Sequence, residues 1–455
     1  MQSNFIRLAV IAALSSLPFA MRAQEGQPKP QQASAQRRWE GGPQLEYSPT
    51  RVILGWTSDP AHSQAVSWRT EKLAATPQVQ FSVSSANPDF VKSAFAVKAI
   101  GAAFDAGNGK IVGAYRANLE NLNPQTRYLY RVGDGKNWSE WFPFRTASPD
   151  PAKFRFIYLG DAQNEIRSRW SRVIHAAYAK APNAAFIVHA GDLVSEGYKD
   201  DLWGEWHDSM GFIAASVPSL PAPGNHELEK PRDAPKTDAL PAIWRQQFSY
   251  PANGPDIPEN ESYFVDYQGV RIIVLNVNVL ENEKNFEANR PKAMQMASWL
   301  EKALKNNPNR WTIVVQHQGL YSMAHQRNYV KMREVLLPLY DRYGVDLVLQ
   351  GHDHIYARSK KLAGGKPVAS DAPGTVYMIS VAGPKMYEVD KLFEPLMVKY
   401  IENTQMFQTI DVEPGKLVLH AYSAESEELD GFQIEKKNGK SIYSDLANAT
   451  AVLAR

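Results

Sequence analysis

Six apolar runs between residues 154 and 383 constrain this chain more than any other feature: FRFIYLG, AAFIVHAG, VRIIVLNVN, WTIVVQH, VDLVLQGH and VYMISVAG. Each is short, rich in branched side chains and lacks strict polar alternation, the pattern of strands buried on both faces of a sheet. Amphipathic stretches stand between some of them: RSRWSRVIHAAYAK, RPKAMQMASWLEKALKNN and NYVKMREVLLPLYDRYG. Strands alternating with helices predict an α/β layered domain.

Before residue 147 the rhythm is different. RVILGW, SQAVSWRT, QVQFSVSS and TRYLYRVG alternate in polarity and are divided by turn residues, which predicts an all-β sandwich over residues 41–148. The spacing of Leu122, Pro124, Thr126, Tyr128 and Tyr130 resembles a fibronectin-III-like domain, with Tyr128 expected to make its corner hydrogen bond. Trp138 and Trp141 are expected in the core or at a domain contact. The proline-marked stretch ASPDPA (147–152) closes this region, and a catalytic domain is expected over 152–438 with a peripheral tail at 439–455.

Composition narrows the chemistry. A chain of 455 residues is long for a single core. A formal net charge of +2 gives no electrostatic case for nucleic acid. The absence of cysteine excludes disulfides, thiolate ligands and a cysteine nucleophile. The first 23 residues, with Arg7 ahead of the apolar stretch Leu8–Ala20, read as a secretory signal peptide, and polar residues 24–40 as a lead-in. No later run approaches the ~18 apolar residues of a spanning helix. Export, to the exterior or the periplasm, without stable membrane association is the expectation.

Where the apolar runs stop, Asp, Asn and His begin. FIYLGDAQ delivers Asp161 and Gln163, FIVHAGDLV delivers Asp192, and SLPAPGNHE delivers Asn225 and His226. IVVQH ends in His317, and LVLQGHDH in His352 and His354. A lone histidine after a strand is usually structural, but five such strand ends point to one crevice outside the carboxyl ends of a sheet. Imidazole, carboxylate and amide oxygen suit hard-to-borderline ions such as Zn, Mn and Fe. A carboxylate with two oxygens can bridge a pair of ions about 3.5–4 Å apart.

In this order, GDAQ, GDLV, GNHE, VVQH and GHDH resemble the calcineurin-like metallophosphoesterase superfamily. The preceding sandwich and MREVLLPLYDRYGVDLVLQGHDHIYAR narrow the resemblance to the purple acid phosphatase-like branch, over residues 45 to 435. It implies a four-layer α/β/β/α catalytic domain, a dinuclear centre and hydrolysis of phosphate esters. Asp161 and His354 would bind the first ion, Asp192 would bridge, and Asn225, His317 and His352 would bind the second. His226 matches a histidine that contacts the substrate phosphate or leaving group. His325, eight residues beyond His317, matches a second pocket histidine only roughly and reads equally well as a loop residue.

Position 195 departs from the pattern. Purple members carry a tyrosine there, whose phenolate binds ferric ion and gives the colour. Ser195 is too short and too weakly acidic for that role. Other branches place a ligand two residues after the first aspartate, where this chain has Gln163, either an amide-oxygen ligand or a hydrogen-bond partner of the ligands. The expectation is two metal ions per chain (Fe, Zn or Mn), divalent by preference. The implied activity is that of an exported, acid phosphatase-like phosphomonoesterase attacking small-molecule phosphate esters with a metal-bound hydroxide. A phosphodiesterase or nucleotide hydrolase on the same site is the alternative, and a non-catalytic binding protein with a decayed centre a third reading. The oligomeric state is not legible in the sequence.

Overall fold

The computed structural model describes residues 45–107, 109–228, 239–257, 261–281 and 283–446; the expected signal peptide and lead-in lie outside them. Alternating side chains over the first hundred described residues produce two four-stranded antiparallel sheets. One has the order Thr50–Gly55, Gln64–Thr70, Ile111–Leu119, Ile100–Asp105. The other has the order Phe95–Lys98, Gln78–Val83, Arg127–Gly133, Phe142–Arg145. Val66 and Trp68 from the first pack with Val79, Tyr128 and Tyr130 from the second in a single core. This is the expected β-sandwich. The Tyr128 hydroxyl accepts the Asn123 N–H at 2.8 Å, the corner bond that the spacing predicts. Trp138 and Trp141 are placed differently: both are half-buried, with the Arg131 guanidinium over their rings at 4.4 and 4.7 Å. They cover the sandwich rather than fill it.

Two seven-stranded sheets follow. The first runs Ser219–Pro221, Ile187–His189, Phe154–Leu159, then Met406–Glu413, Lys416–Ser423, Glu428–Lys437 and Lys440–Asp445. The second runs Tyr263–Tyr267, Val270–Leu275, Trp311–Gln316, Leu347–Gln350, Val376–Ile379, Tyr356–Ser359 and Met397–Ile401. The strands that carry the site motifs are parallel within each sheet.

Side chains alternate across these strands, and both faces are covered. Phe156, Tyr158 and Val188 meet Ile272, Val274, Ile313 and Val315 between the sheets. Ile157, Leu159 and Ile187 face helices Ser171–Lys180 and Asp200–Met210. Ile273, Val314 and Val348 face helices Phe286–Lys305 and Val330–Tyr343. The layers are therefore α/β/β/α, and burial on both faces explains why the six runs show no polar alternation.

Three details depart from expectation. Helix Asp200–Met210 has no clear signal in the sequence, because its acidic, glycine-containing composition hides an apolar face of Trp203, Trp206 and Met210. The helix expected from residue 290 begins at Phe286 and runs through Pro291. Residues 440–445, expected in a peripheral tail, form an edge strand on Glu428–Lys437, and Asp445 pairs with Arg358 at 2.6 Å.

The sandwich is clamped to the catalytic domain through Asp200. Its carboxylate pairs with Arg51 and Arg69, each at 2.6 Å, from two neighbouring sandwich strands. Burial opposes its charge, but the two guanidinium groups outweigh that and hold it below the usual carboxylate range. The Tyr130 hydroxyl adds a donor to the Ala215 carbonyl at 2.7 Å. No helix among the described residues is long and apolar enough to cross a membrane.

Candidate metal centre

The strand-end residues are held in unusual backbone conformations. Asp161, Asp192, His352 and His354 have φ of 46°, 52°, 73° and 51°. Non-glycine residues seldom enter that left-handed region, and strain of this kind collects at functional sites. The backbones also approach closely. A Cβ on Gly191 (φ 88°) would lie 2.4 Å from His317 Nδ1, and one on Gly224 would lie 2.1 Å from Asp192 Oδ1. Only glycine lets the two loops close around the aspartate.

Two ligand groups result. Asp161, Asp192 and His354 form one, and Asp192, His317 and His352 the other, with the ligand atoms of each within 4.8 Å of one another. Asp192 belongs to both. Its Oδ2 lies 3.1 Å from His317 Nε2, while His354 Nε2 lies 3.7 Å from Asp161 Oδ1 and His352 Nδ1 lies 3.0 Å from His317 Nε2. Backbone carbonyls choose the tautomers. His317 Nδ1–H donates to Ala190 O at 2.7 Å and His354 Nδ1–H to Lys385 O at 3.1 Å, so both turn Nε2 inward. His352 is reversed: its Nε2 meets the Tyr329 hydroxyl at 2.8 Å and Nδ1 faces the group.

Acceptors in this crevice are left open. Asp161 Oδ1, Gln163 Oε1 and Asn225 Oδ1 are buried without a hydrogen-bond partner. Buried acceptors are ordinarily satisfied, so several in one crevice fit a cation site. Gln163 reaches the first group through Nε2, 3.1 Å from both Asp192 Oδ2 and His354 Nε2. A half-turn about its last bond would bring Oε1 to the same two atoms, so the geometry accommodates a ligand as well as a hydrogen-bond partner.

The electrostatics are those of a proton held where a cation would bind. Burial opposes charge on His317, yet Asp192 and Asp161 raise it to about 10. Burial likewise opposes charge on Asp192, but His317 lowers it to about 2. Burial keeps His354 neutral, with Lys385 adding to the effect and lowering it to about 3. A metal ion bound there would take the place of the His317 proton, because ligation requires the neutral imidazole.

His226 sits beside Asp192. Its N–H donates to Asp192 Oδ1 at 3.0 Å, and its ring Nδ1–H donates to the Ser195 carbonyl at 2.8 Å. His325 belongs to neither ligand group: its ring is 77% exposed and pairs with Asp390 at 3.0 Å. Arg327 is the residue of that loop that turns inward, donating to His352 O at 2.5 Å and Asp353 Oδ1 at 3.0 Å. Sequence reasoning also misses Glu227. This fully buried carboxylate accepts the N–H groups of Asp192 (2.8 Å), Leu193 (2.8 Å) and Gly224 (2.7 Å), tying the GDLV and GNHE loops together. Burial, and after it Asp192, raises Glu227 to about 7.

Residues 154–356 match the calcineurin-like phosphoesterase family, and residues 49–146 match the purple acid phosphatase N-terminal domain. The chain thus joins a calcineurin-like phosphoesterase domain to a purple acid phosphatase N-terminal domain. A probable purple acid phosphatase of Arabidopsis thaliana is 30% identical over 56% of this chain and 57% of its own length. An uncharacterized protein of Mycobacterium tuberculosis is 27% identical over 66% of this chain and 60% of its own. The match thus spans about three-fifths of these relatives. Among solved structures, a yellow lupin purple acid phosphatase superposes with a TM-score of 0.71 at 18% identity, covering 86% of this chain and 75% of its own. At that identity the likeness is one of fold.

Proposed function

We propose that this chain is an exported, metal-dependent phosphatase acting on small phosphate monoesters. The sharing of Asp192 between two buried ligand groups carries the reading. Two divalent ions (Fe, Zn or Mn) suit the nitrogen and oxygen donors, and Ser195 withholds the phenolate that would favour ferric ion. When bound, such a pair acidifies a water and neutralises charge that develops on the phosphoryl oxygens.

The protein's own groups supply placement and one proton. Asp161 and His354, with Gln163 through Oε1, are assigned to the first ion, Asn225, His317 and His352 to the second, and Asp192 to both. Tyr329 orients His352 through its Nε2. His226, anchored on the Ser195 carbonyl, is assigned to donate a proton to the leaving oxygen, a contribution of about 10²–10⁴-fold. The apolar N-terminal stretch Leu8–Ala20 supports export, and the net charge of +2 offers no attraction for nucleic acid.

The test is turnover of p-nitrophenyl phosphate and of its bis ester by metal-reconstituted protein. Faster hydrolysis of the monoester is expected; preference for the diester would move the reading to a phosphodiesterase, and inactivity on both would contradict it. His226→Ala should retain metal and lose at least about a hundredfold in turnover. Unchanged turnover would remove His226 from the mechanism.

A further inference from the structure

Beside His354 stands a wall that ligation of a metal does not explain. It is made by the loop around residues 322–327 and by residues 385–390. Tyr387 N–H donates to His354 O at 3.3 Å, Asp390 N–H donates to Met323 O at 2.6 Å, and Ala324 bridges Val389. The half-buried Tyr387 ring meets the His354 imidazole edge-on, with centroids 4.8 Å apart. Two cations flank this ring. The Arg327 guanidinium carbon lies 5.4 Å and Lys385 Nζ 5.3 Å from its centroid.

The two charges are compensated unequally. Arg327 is answered by Asp353, a buried carboxylate that also accepts Ser322 Oγ–H at 2.9 Å and Met323 N–H at 2.7 Å. Lys385 has no ion-pair partner among the described residues, while its carbonyl accepts His354 Nδ1–H and so anchors the residue beside the first ligand group. Beside the second group, Glu281 lies 3.6 Å from His352 Nε2. Lys385 therefore stands beside His354 as a cation without a carboxylate of its own among the described residues, while Glu281 faces His352.

We propose that Lys385, with Arg327 and Tyr387, forms a subsite for a second anionic group on the substrate. The preferred esters then carry a carboxylate or another phosphate close to the phosphate that is removed. A non-reacting anion held there orients the ester at the metal centre, a use of binding energy remote from the reacting bond. The inference rests on the phosphatase reading above.

A matched pair of esters tests it: β-glycerophosphate, and the glycerate phosphorylated at its central hydroxyl, which differs by one carboxylate. The ratio of kcat/KM for the carboxylate ester over β-glycerophosphate should exceed one in the native protein. It should fall about fivefold in Lys385→Ala, the size of an exposed ion pair, and return in Lys385→Arg. An equal loss on both esters, or an unchanged ratio, would overturn the subsite. If the native protein hydrolyses neither ester, the phosphatase reading fails. Calorimetric titration of the same two esters then gives the ratio as Kd values: a fall in Lys385→Ala supports the subsite, and an unchanged ratio overturns it.

Discussion

The seam between the domains and the metal centre both bury an aspartate, and they treat it in opposite ways. At the seam, Asp200 Oδ1 accepts from Arg51 and Arg69 and Oδ2 from Arg51, so both carboxylate oxygens are answered within the fold. At the centre, Asp161 Oδ1 stays open, as do Gln163 Oε1 and Asn225 Oδ1. A buried charge that is fully paired holds a structure together, whereas a cluster with open acceptors is built for something the chain does not itself supply. The backbone follows the same division: Asp161, Asp192, His352 and His354 carry positive φ, and Asp200 opens an ordinary helix.

The largest effect that would break this contrast is at the shared ligand. Asp192→Asn should lose both ions and more than about a hundredfold of activity, since even indirect partners of a metal cost 10–100-fold. Retention of two ions would show that Asp192 does not bridge.

At the seam, Asp200→Asn should cost about 3–5 kcal/mol by stranding two guanidinium groups, measured as a lower urea midpoint with metal per folded chain unchanged. Asp200 is held below its ordinary range in the folded protein. Its contribution is therefore complete above the unfolded value of about 3.9 and is lost as pH falls through the folded value. The gap between native and variant midpoints should be full at pH 7 and narrow below about pH 4. A gap independent of pH would mean that the pair does not act through charge.

The smallest effect separates placement from ligation within the centre itself. Glu227→Gln presents an N–H to backbone donors that the carboxylate satisfied. Metal affinity should fall about 10–100-fold while the fold persists. Unaltered affinity would make Glu227 a residue of packing alone.

Much of this arrangement is legible in the sequence, for a physical reason. Strands covered on both faces read as continuous apolar runs, and a tight turn at their ends exposes the next polar residue. That is why Asp161, Asp192, Asn225, His317, His352 and His354 stand out as candidates at the ends of apolar runs. What is not legible depends on contacts distant in the chain. His325 and Arg327 lie two residues apart in one loop, and the Asp353 carboxylate selects Arg327 to turn inward. Glu227 looks like an ordinary turn residue until the GDLV and GNHE loops are brought together over it. Tyr329, Lys385 and Tyr387 have no spacing signature, because they meet the site through contacts distant in the chain. Helix Asp200–Met210 is hidden by its polar composition, its stability resting on tryptophans packed beneath the sheet.

The central claim is a pair of ions bridged by Asp192 with no phenolate at position 195. Elemental analysis of the purified native protein, together with its visible spectrum, tests it most directly. The account predicts two divalent ions per chain and no visible charge-transfer band. One ion or none, or a purple band from a tyrosinate on ferric iron, would contradict it.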